Sequence, residues 1–230
     1  MHSRLLHFIG GMYIALLWSS AACLISGDTR VQNSNLFMDA VLLQRMPMFV
    51  RYDGLDPATL DAIPVVVHIK NWAGHKFKAN FTINSVTGLS KGVHRLRDCA
   101  PVGIRSGNIT VGCNIHFDGV HISLNGVGQG DSMFKNTHQV TATATLGNSF
   151  ALVEAAGREP HKPGSLVRFS LAQMNLTVIP GNNIDLGKDR LAVFNMNLKK
   201  DLTSRVAELI SGRYKSTLAQ AIQSVYLPPV

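Results

Sequence analysis

Charge is scarce in this chain. Only 16% of its 230 residues are Asp, Glu, Lys or Arg, against about 25% in ordinary soluble domains. What charge there is leans one way, with 22 Lys and Arg against 14 Asp and Glu and a formal net charge of +8. Aromatics are also few, at 7% with two Trp, and there are three Cys. Low charge with 46% hydrophobic residues excludes a disordered chain, which needs the opposite balance. Glycine and proline, 20 and 9 residues, show no collagen period, and no heptad or internal repeat is present. A single long apolar run excludes a membrane protein with several spans. One domain of about 200 residues with a true core remains.

The apolar run is the N-terminus. Arg4 precedes Leu5 to Trp18, an apolar stretch of signal-peptide length, and Ser19, Ser20, Ala21 and Ala22 follow as small residues. This pattern predicts a leader over 1–22, cleaved after Ala22 or after Cys23, and export to the extracellular space; the alternative is an uncleaved signal anchor, since the apolar run extends to Ile25. Residues 23–34 then read as a flexible mature N-terminus and 35–230 as the domain.

Cysteine use agrees with export. Cys99 and Cys113 are placed symmetrically about Arg105-Ser106-Gly107-Asn108, a turn between two strand-like runs. A hairpin centred there sets the two cysteines opposite each other, within reach of a cross-strand disulfide. An oxidising compartment favours the bridge over two buried thiols. N-glycosylation sequons occur at Asn80-Phe81-Thr82, Asn108-Ile109-Thr110 and Asn175-Leu176-Thr177.

From Lys76 the chain alternates. Phe77, Ala79, Phe81 and Ile83 share one parity, and Lys76, Lys78, Asn80, Thr82 and Asn84 the other. Ile109, Val111, Cys113, Ile115 and Phe117 repeat the pattern. Val120, Ile122 and Leu124 follow after a phase shift at Asp118-Gly119, then Val140, Ala142, Ala144 and Leu146. Val167, Phe169 and Leu171 give way to Met174, Leu176 and Val178 on the other parity, which reads as a bulge near Gln173. Leu191 to Leu198 reads as a sixth strand. These are antiparallel strands, each apolar on one face, and the three sequon asparagines fall on the polar face.

Helices bracket the strands. Leu36, Phe37, Ala40, Val41, Leu43 and Gln44 have helical spacing behind Ser34 and Asn35 as caps, and Pro47 kinks or ends that helix before a turn at Gly54-Leu55-Asp56-Pro57. Asp201 is placed to cap a long helix to about Tyr226, with Leu202, Val206, Leu209, Ile210, Tyr214, Leu218, Ile222 and Val225 as its stripe. The fold class expected is α+β, a long-stranded antiparallel sheet with the C-terminal helix along its apolar face and a shorter N-terminal helix.

The order of these elements carries a resemblance. It includes Val86-Thr87-Gly88-Leu89-Ser90 followed by Val93-His94-Arg95, then Cys113-Asn114-Ile115-His116-Phe117-Asp118-Gly119-Val120, then Phe169-Ser170-Leu171 to Met174-Asn175-Leu176-Thr177-Val178. From about Asn35 to Tyr226 the chain resembles the mite group 7 allergens and their arthropod relatives. These are single-module members of the tubular lipid-binding superfamily that includes bactericidal/permeability-increasing protein. The resemblance implies a strongly curved sheet wrapped around the long helix, enclosing an apolar cavity or groove. The inward residues that would line it are Phe77, Phe81, Ile83, Val111, Ile115, Phe117, Ile122, Phe169, Leu171, Leu176, Phe194, Val206, Leu209 and Ile210. The same residues equally fit a packed core.

No catalytic set emerges. Gly88-Leu89-Ser90-Lys91-Gly92 fits the G-x-S-x-G elbow of serine hydrolases, but that elbow needs a helix after it, and a strand-like run follows here; a hairpin turn is the better reading. Gly126 to Gly130 lacks the helix that a phosphate loop requires and reads as a flexible connection. The nine histidines show no metal spacing, and His116 and His121 flank a turn with Asp118. Neither a metal nor a cofactor is called for. Between residues 62 and 117, seven basic side chains face Asp98 alone. Lys76, Lys78, Lys91, Arg95, Arg97 and Arg105 would make a basic end for anionic lipid head groups, microbial amphiphiles or acidic glycans. Nucleic acid is not an expected partner for an exported protein. Two classes of non-enzymatic function stand: a secreted carrier of a lipid or hydrophobic small molecule, including the takeout-like hormone or odorant carriers, and a secreted basic glycoprotein with a filled core that acts through its surface.

Overall fold

Asp28 caps the first helix: its carboxylate accepts the Arg30 N–H at 3.0 Å and pairs with the Arg30 side chain. The computed structural model describes residues 28–68, 76–130 and 137–230. The expected leader, Cys23 and Lys70 lie outside them. Helix α1 (Thr29–Asp39) runs through a π-helical turn (Ala40–Arg45) into α2 (Met46–Tyr52). The helix therefore begins at Thr29, inside the segment expected to be flexible. Ser34 is buried within it, and Asn35 is not a cap. Asn35 instead bridges to the connecting segment that carries Cys99, donating to Asp98 at 2.8 Å and accepting the Cys99 N–H at 2.9 Å. Pro47 does not end the helix. Its ring would collide with the carbonyl one α-turn back, and the wider π turn just before it gives that carbonyl room.

The strands form two antiparallel sheets. In sheet I, β1 (Ala58–Leu60) and β2 (Ile63–His68) lie along one edge of β3 (Lys76–Thr87). Next to β3 come β7 (His121–Gln129), β8 (Thr137–Leu146) and β11 (Leu176–Pro180). In sheet II, β4 (His94–Arg95) and β5 (Gly103–Arg105) border β6 (Asn108–His116), followed by β9 (Phe150–Gly157) and β10 (Ser165–Gln173). The expected hairpin is present, with Arg105 opposite Asn108, and Cys99 and Cys113 form a disulfide with Cα atoms 4.4 Å apart.

The chain passes between the sheets four times, and the passages meet in one corner. After β3 it turns at Gly88 to Gly92; after β6 at Phe117 to Val120; after β8 at Gly147 to Ser149; after β10 at Met174 and Asn175. The corner is tied by backbone: Phe117 N–H donates to Ser149 O at 2.9 Å, Gly147 N–H to Asn175 O at 3.0 Å, and Asn175 N–H to the buried Ser149 hydroxyl at 2.9 Å. Gly88 has φ +92°, and a Cβ there would stand 2.1 Å from Gly119 O, so only glycine fits. The Gly88 and Ser90 N–H groups donate to the Asp56 carboxylate at 3.0 and 2.8 Å, and the Ser90 hydroxyl donates to it as well. Gly88-Leu89-Ser90 is therefore neither a nucleophile elbow nor a hairpin turn. It carries the chain from one sheet to the other.

Two further expectations are corrected by backbone geometry. Gly126 lies inside β7, not in a flexible connection, and a Cβ on it would sit 2.1 Å from Asn80 O. The close approach it permits coincides with a bulge in β3 between Phe81 and Ile83. The bulge reverses the parity of the residues beyond it, so Ile83 is 70% exposed while Asn84 is 4% exposed. Asn84 turns inward and donates to Asp61 O and Phe81 O at 3.0 and 2.9 Å. In β10 a register shift between Leu166 and Arg168 turns Val167 outward, away from half-buried Phe169 and Leu171. The expected irregularity near Gln173 is present, but there the chain leaves sheet II for sheet I.

The segment from Leu191 to Leu198 is helical. Helix α3 (Lys188–Leu209) runs through a second π turn (Ile210–Tyr214) into α4 (Lys215–Gln223), and Asp201 lies inside it rather than at its start. Phe194, Leu198, Leu202, Val206 and Leu209 are its buried stripe; their spacing is helical, and the short apolar run at its head suits strand or helix alike. Helix α3 packs on β2 and β11, α4 on β10 and α2, and α1 on β6. The result is an α+β fold in which a strongly curved antiparallel sheet holds a long C-terminal helix.

Two outcomes are expected for stability. Replacing both Cys99 and Cys113 with alanine should lower unfolding free energy by about 3 kcal/mol, the value for a closed loop of this order, read from denaturant midpoints. Burial pushes the Asp56 carboxyl up, but the hydrogen bonds from Ser90 and Gly88 outweigh it and hold the group below the usual carboxylate range. A depressed folded value stabilises above the unfolded value and is lost as pH falls through the folded one. The stability gap between wild type and Asp56→Asn should therefore be full at neutral pH and close below the ordinary aspartate value of about 4.

Candidate ligand-binding interior

The two inner sheet faces and the helices share one continuous apolar cluster. Of the residues expected to line an interior, Phe77, Phe81, Val111, Ile115, Phe117, Ile122, Leu176, Phe194, Val206, Leu209 and Ile210 are all buried in it. Phe169 and Leu171 pack against it half-buried, and Ile83 is outside it altogether. The aromatic rings close on one another. Phe194 of α3 meets Phe77 and Phe81 of β3 at centroid separations of 6.0 and 6.3 Å, and Phe117 meets Tyr214 edge-on at 5.5 Å.

The cluster is least closed along one line. β10 has no fully buried residue. Its inward side chains Leu166, Phe169 and Leu171, together with Met174, Val178 of β11 and Leu191 of α3, are half-buried against the core. They mark a seam where the free edges of the two sheets meet the C-terminal helix. The second π turn packs on β10 at this seam and carries Tyr214. The Tyr214 ring is fully buried, its hydroxyl has no hydrogen-bond partner among the described residues, and burial pushes the phenol well above its ordinary value. A buried hydroxyl left unpaired costs about 1–3 kcal/mol, so it is a point at which a polar atom from a guest would be welcome. Sequence reasoning placed Tyr214 in a helical stripe and missed this; a tyrosine among seven aliphatic stripe positions was the available signal.

The six basic residues expected to form one end do not converge. Lys76 and Lys78 open β3, and Lys91 follows its other end, some twelve residues on, about 35–40 Å away along an extended strand. Arg95 is committed to Asp39, with two nitrogens at 3.0 Å, and to Arg97 O and Asp98; the Asp39 bonds raise its pKa further. Arg105 stands at the disulfide hairpin, 3.5 Å from Glu154. Sequon residues Asn80 and Asn175 are exposed and Asn108 is half-buried.

Two surface clefts lie on sheet II, and neither involves the apolar interior set. One of about 520 Å³ is floored by Gly112 and walled by Asp98, Arg105, Asn114, Glu154 and Arg168; another of about 290 Å³ is lined by Arg97, His116, Asp118, Ser149 and Gln173. His116 stands 3.2 Å from Asp118 and across from His94, while His121 opens β7 in the other sheet. Among the described residues no three His, Cys, Asp or Glu side chains converge as a metal site, and no helix is long and apolar enough to cross a membrane.

No family model matches the chain. The salivary anticoagulant protein P23 of Ixodes scapularis is 25% identical over 220 residues, spanning 94% of this chain and 99% of that protein. The chain is similar to a tick salivary protein over almost its whole length. Among solved structures, lipopolysaccharide binding protein aligns with a TM-score of 0.45 and 12% identity, over 85% of this chain and 37% of that one. The chain thus spans well under half of that protein's length, and a likeness so distant carries no weight here.

The parity reversal in β3 gives a three-way test of the inner face. Phe81→Asp places a charge in the fully buried cluster and should cost about 4 kcal/mol or more. Lys78→Asp and Ile83→Asp, both on the outer face, should stay within about 0.5 kcal/mol of wild type. Denaturant unfolding of the three variants reads the difference, and a loss at Ile83 equal to that at Phe81 would show the bulge to be misplaced.

Proposed function

We propose that this is a secreted, non-enzymatic protein that takes up a lipid or other amphipathic molecule between its curved sheet and its C-terminal helix. The observation that carries this reading is the half-buried apolar seam along β10 and β11, backed by the unpartnered Tyr214 hydroxyl. An apolar guest entering there would replace the contacts of Phe169, Leu171, Met174, Val178 and Leu191, and its polar group would bond the phenol. Apolar walls with a few placed polar groups are the usual make-up of such sites. The disulfide and the similarity to a protein named as salivary support an extracellular setting. The group 7 allergen-like resemblance supports the same reading, and a takeout-like carrier falls within it.

A second reading draws on the closed aromatic contacts of Phe77, Phe81 and Phe194. In it the core is complete, and the protein acts on an extracellular partner through its surface. The similarity to a salivary anticoagulant protein supports that kind of action too.

Native mass spectrometry of the protein secreted from eukaryotic cells, before and after organic extraction, separates the two. The carrier reading expects a bound mass that extraction removes, and uptake of a fluorescent apolar probe by the extracted protein that weakens in Tyr214→Phe for probes with a polar head. An empty protein that takes up no apolar probe is the surface-acting one.

A further inference from the structure

From Leu36 to Tyr52 the N-terminal helical run carries apolar side chains on both sides. A helix laid on a core needs one apolar face and normally turns polar residues outward. Here Phe37, Met38, Val41, Leu42, Met46 and Val50 are buried, as that rule requires. Yet Leu36, Leu43, Met48 and Tyr52 are 69%, 54%, 56% and 88% exposed, and Ala40 and Pro47 lie half-buried between them. Elsewhere on the described surface, large exposed apolar side chains are spread over separate strands and the C-terminal tail, with one pair, Val193 and Met196, a turn apart on α3. Such scattering needs no explanation, whereas a row along one helix does.

The charge on this helix is as uneven as its hydropathy. Its sole carboxylate, Asp39, is bound by Arg95 at 3.0 Å. Asp98, beside its early turns, is shared between Asn35 and Arg95, and Asp53, just past its end, accepts the Thr217 hydroxyl. Arg45 and Arg51 are exposed on the same outward side and make no ion pair among the described residues; Arg51 acts on Asp56 only at longer range, helping to hold that carboxyl low, while Asp56 itself is bonded by Gly88 and Ser90. Leucine, methionine, tyrosine and unpaired arginine are the residue types of a helix lying in a membrane interface, with aliphatic groups at the acyl boundary and the guanidinium and phenol at head-group level.

We propose that this outward side docks on a membrane surface carrying anionic head groups, with the helix lying in the plane of the interface. A second copy of the chain is the poorer occupant, because a two-fold contact would set Arg45 and Arg51 against one another with no free acid between them. The surface is separate from the interior seam and does not depend on whether that interior holds a guest.

Co-sedimentation with vesicles of phosphatidylcholine, with and without phosphatidylserine, tests this on the secreted protein. Wild type should sediment with the phosphatidylserine vesicles, less so as salt rises, and stay in the supernatant when the vesicles are pure phosphatidylcholine. Arg45→Gln with Arg51→Gln should weaken binding about 25-fold, at about fivefold for each basic residue. Leu43→Glu with Met48→Glu should abolish it, while Ile83→Glu, an equally exposed apolar residue on the outer face of β3, should change nothing. Wild type failing to bind, the two helix variants binding as wild type does, or Ile83→Glu losing as much as they do would overturn the proposal. So would a wild-type dimer that Leu43→Glu with Met48→Glu converts to monomer. Apolar-probe uptake measured on the same variants should match wild type, so loss of vesicle binding alone concerns the helix and loss of probe uptake alone concerns the interior.

Discussion

The corner where the chain changes sheets is the constraint on which the rest depends. A sheet with one apolar face must cover that face, and here it does so by turning back over itself and taking helices into the fold. The turning requires backbones to touch, which is why glycines stand at 88, 92 and 119 and why Gly88 and Gly119 leave no room for a Cβ between them. It also leaves polar backbone groups in a place that water reaches poorly. Asp56, Ser149 and Asn175 answer those groups one by one, and each does so across a long sequence distance. The corner therefore fixes at once the relative positions of both sheets and of the helices between them.

Much of the strand layout could be read from the residues, because β6, β7 and β8 alternate strictly and large apolar side chains mark their inner faces. The same signal faded in β9, where Val153 stands inward between Ala151 and Ala155 and alanine announces no face. It misled at Ile83, since the bulge that turns Ile83 outward lies against a glycine on another strand more than forty positions away, and nothing local reports it. Leu191 to Leu198 misled for a different reason. A short apolar run satisfies both periods, and only its continuation through Leu202, Val206 and Leu209 decides for the helix. The disulfide was legible because a turn with symmetric cysteines is a local feature.

The interior set was legible as a face but not as a site. Whether a row of inward phenylalanines touches or leaves room is decided by the spacing of elements that are distant in sequence. The seam at β10 was hidden because its half-buried residues have the same composition as fully buried ones. The N-terminal helix carried a signal that is clear only in retrospect: Leu36, Phe37, Ala40, Val41 and Leu43 are too many apolar positions for one side of a helix. The structure divides them, placing Phe37 and Val41 inward and Leu36 and Leu43 outward.

Asn35 joins two features that otherwise look separate. One side chain holds both Asp98 and the Cys99 amide, so the N-terminal helix is anchored to the connecting segment that the disulfide fixes in place. Before oxidation, that segment is held against β6 by a few backbone bonds and is freer to fray, and the helix can fray with it. Closure of the bridge steadies that segment, and with it the position of the helix. Through the single amide side chain of Asn35, the disulfide's constraint reaches beyond its own loop to the seat of the N-terminal helix.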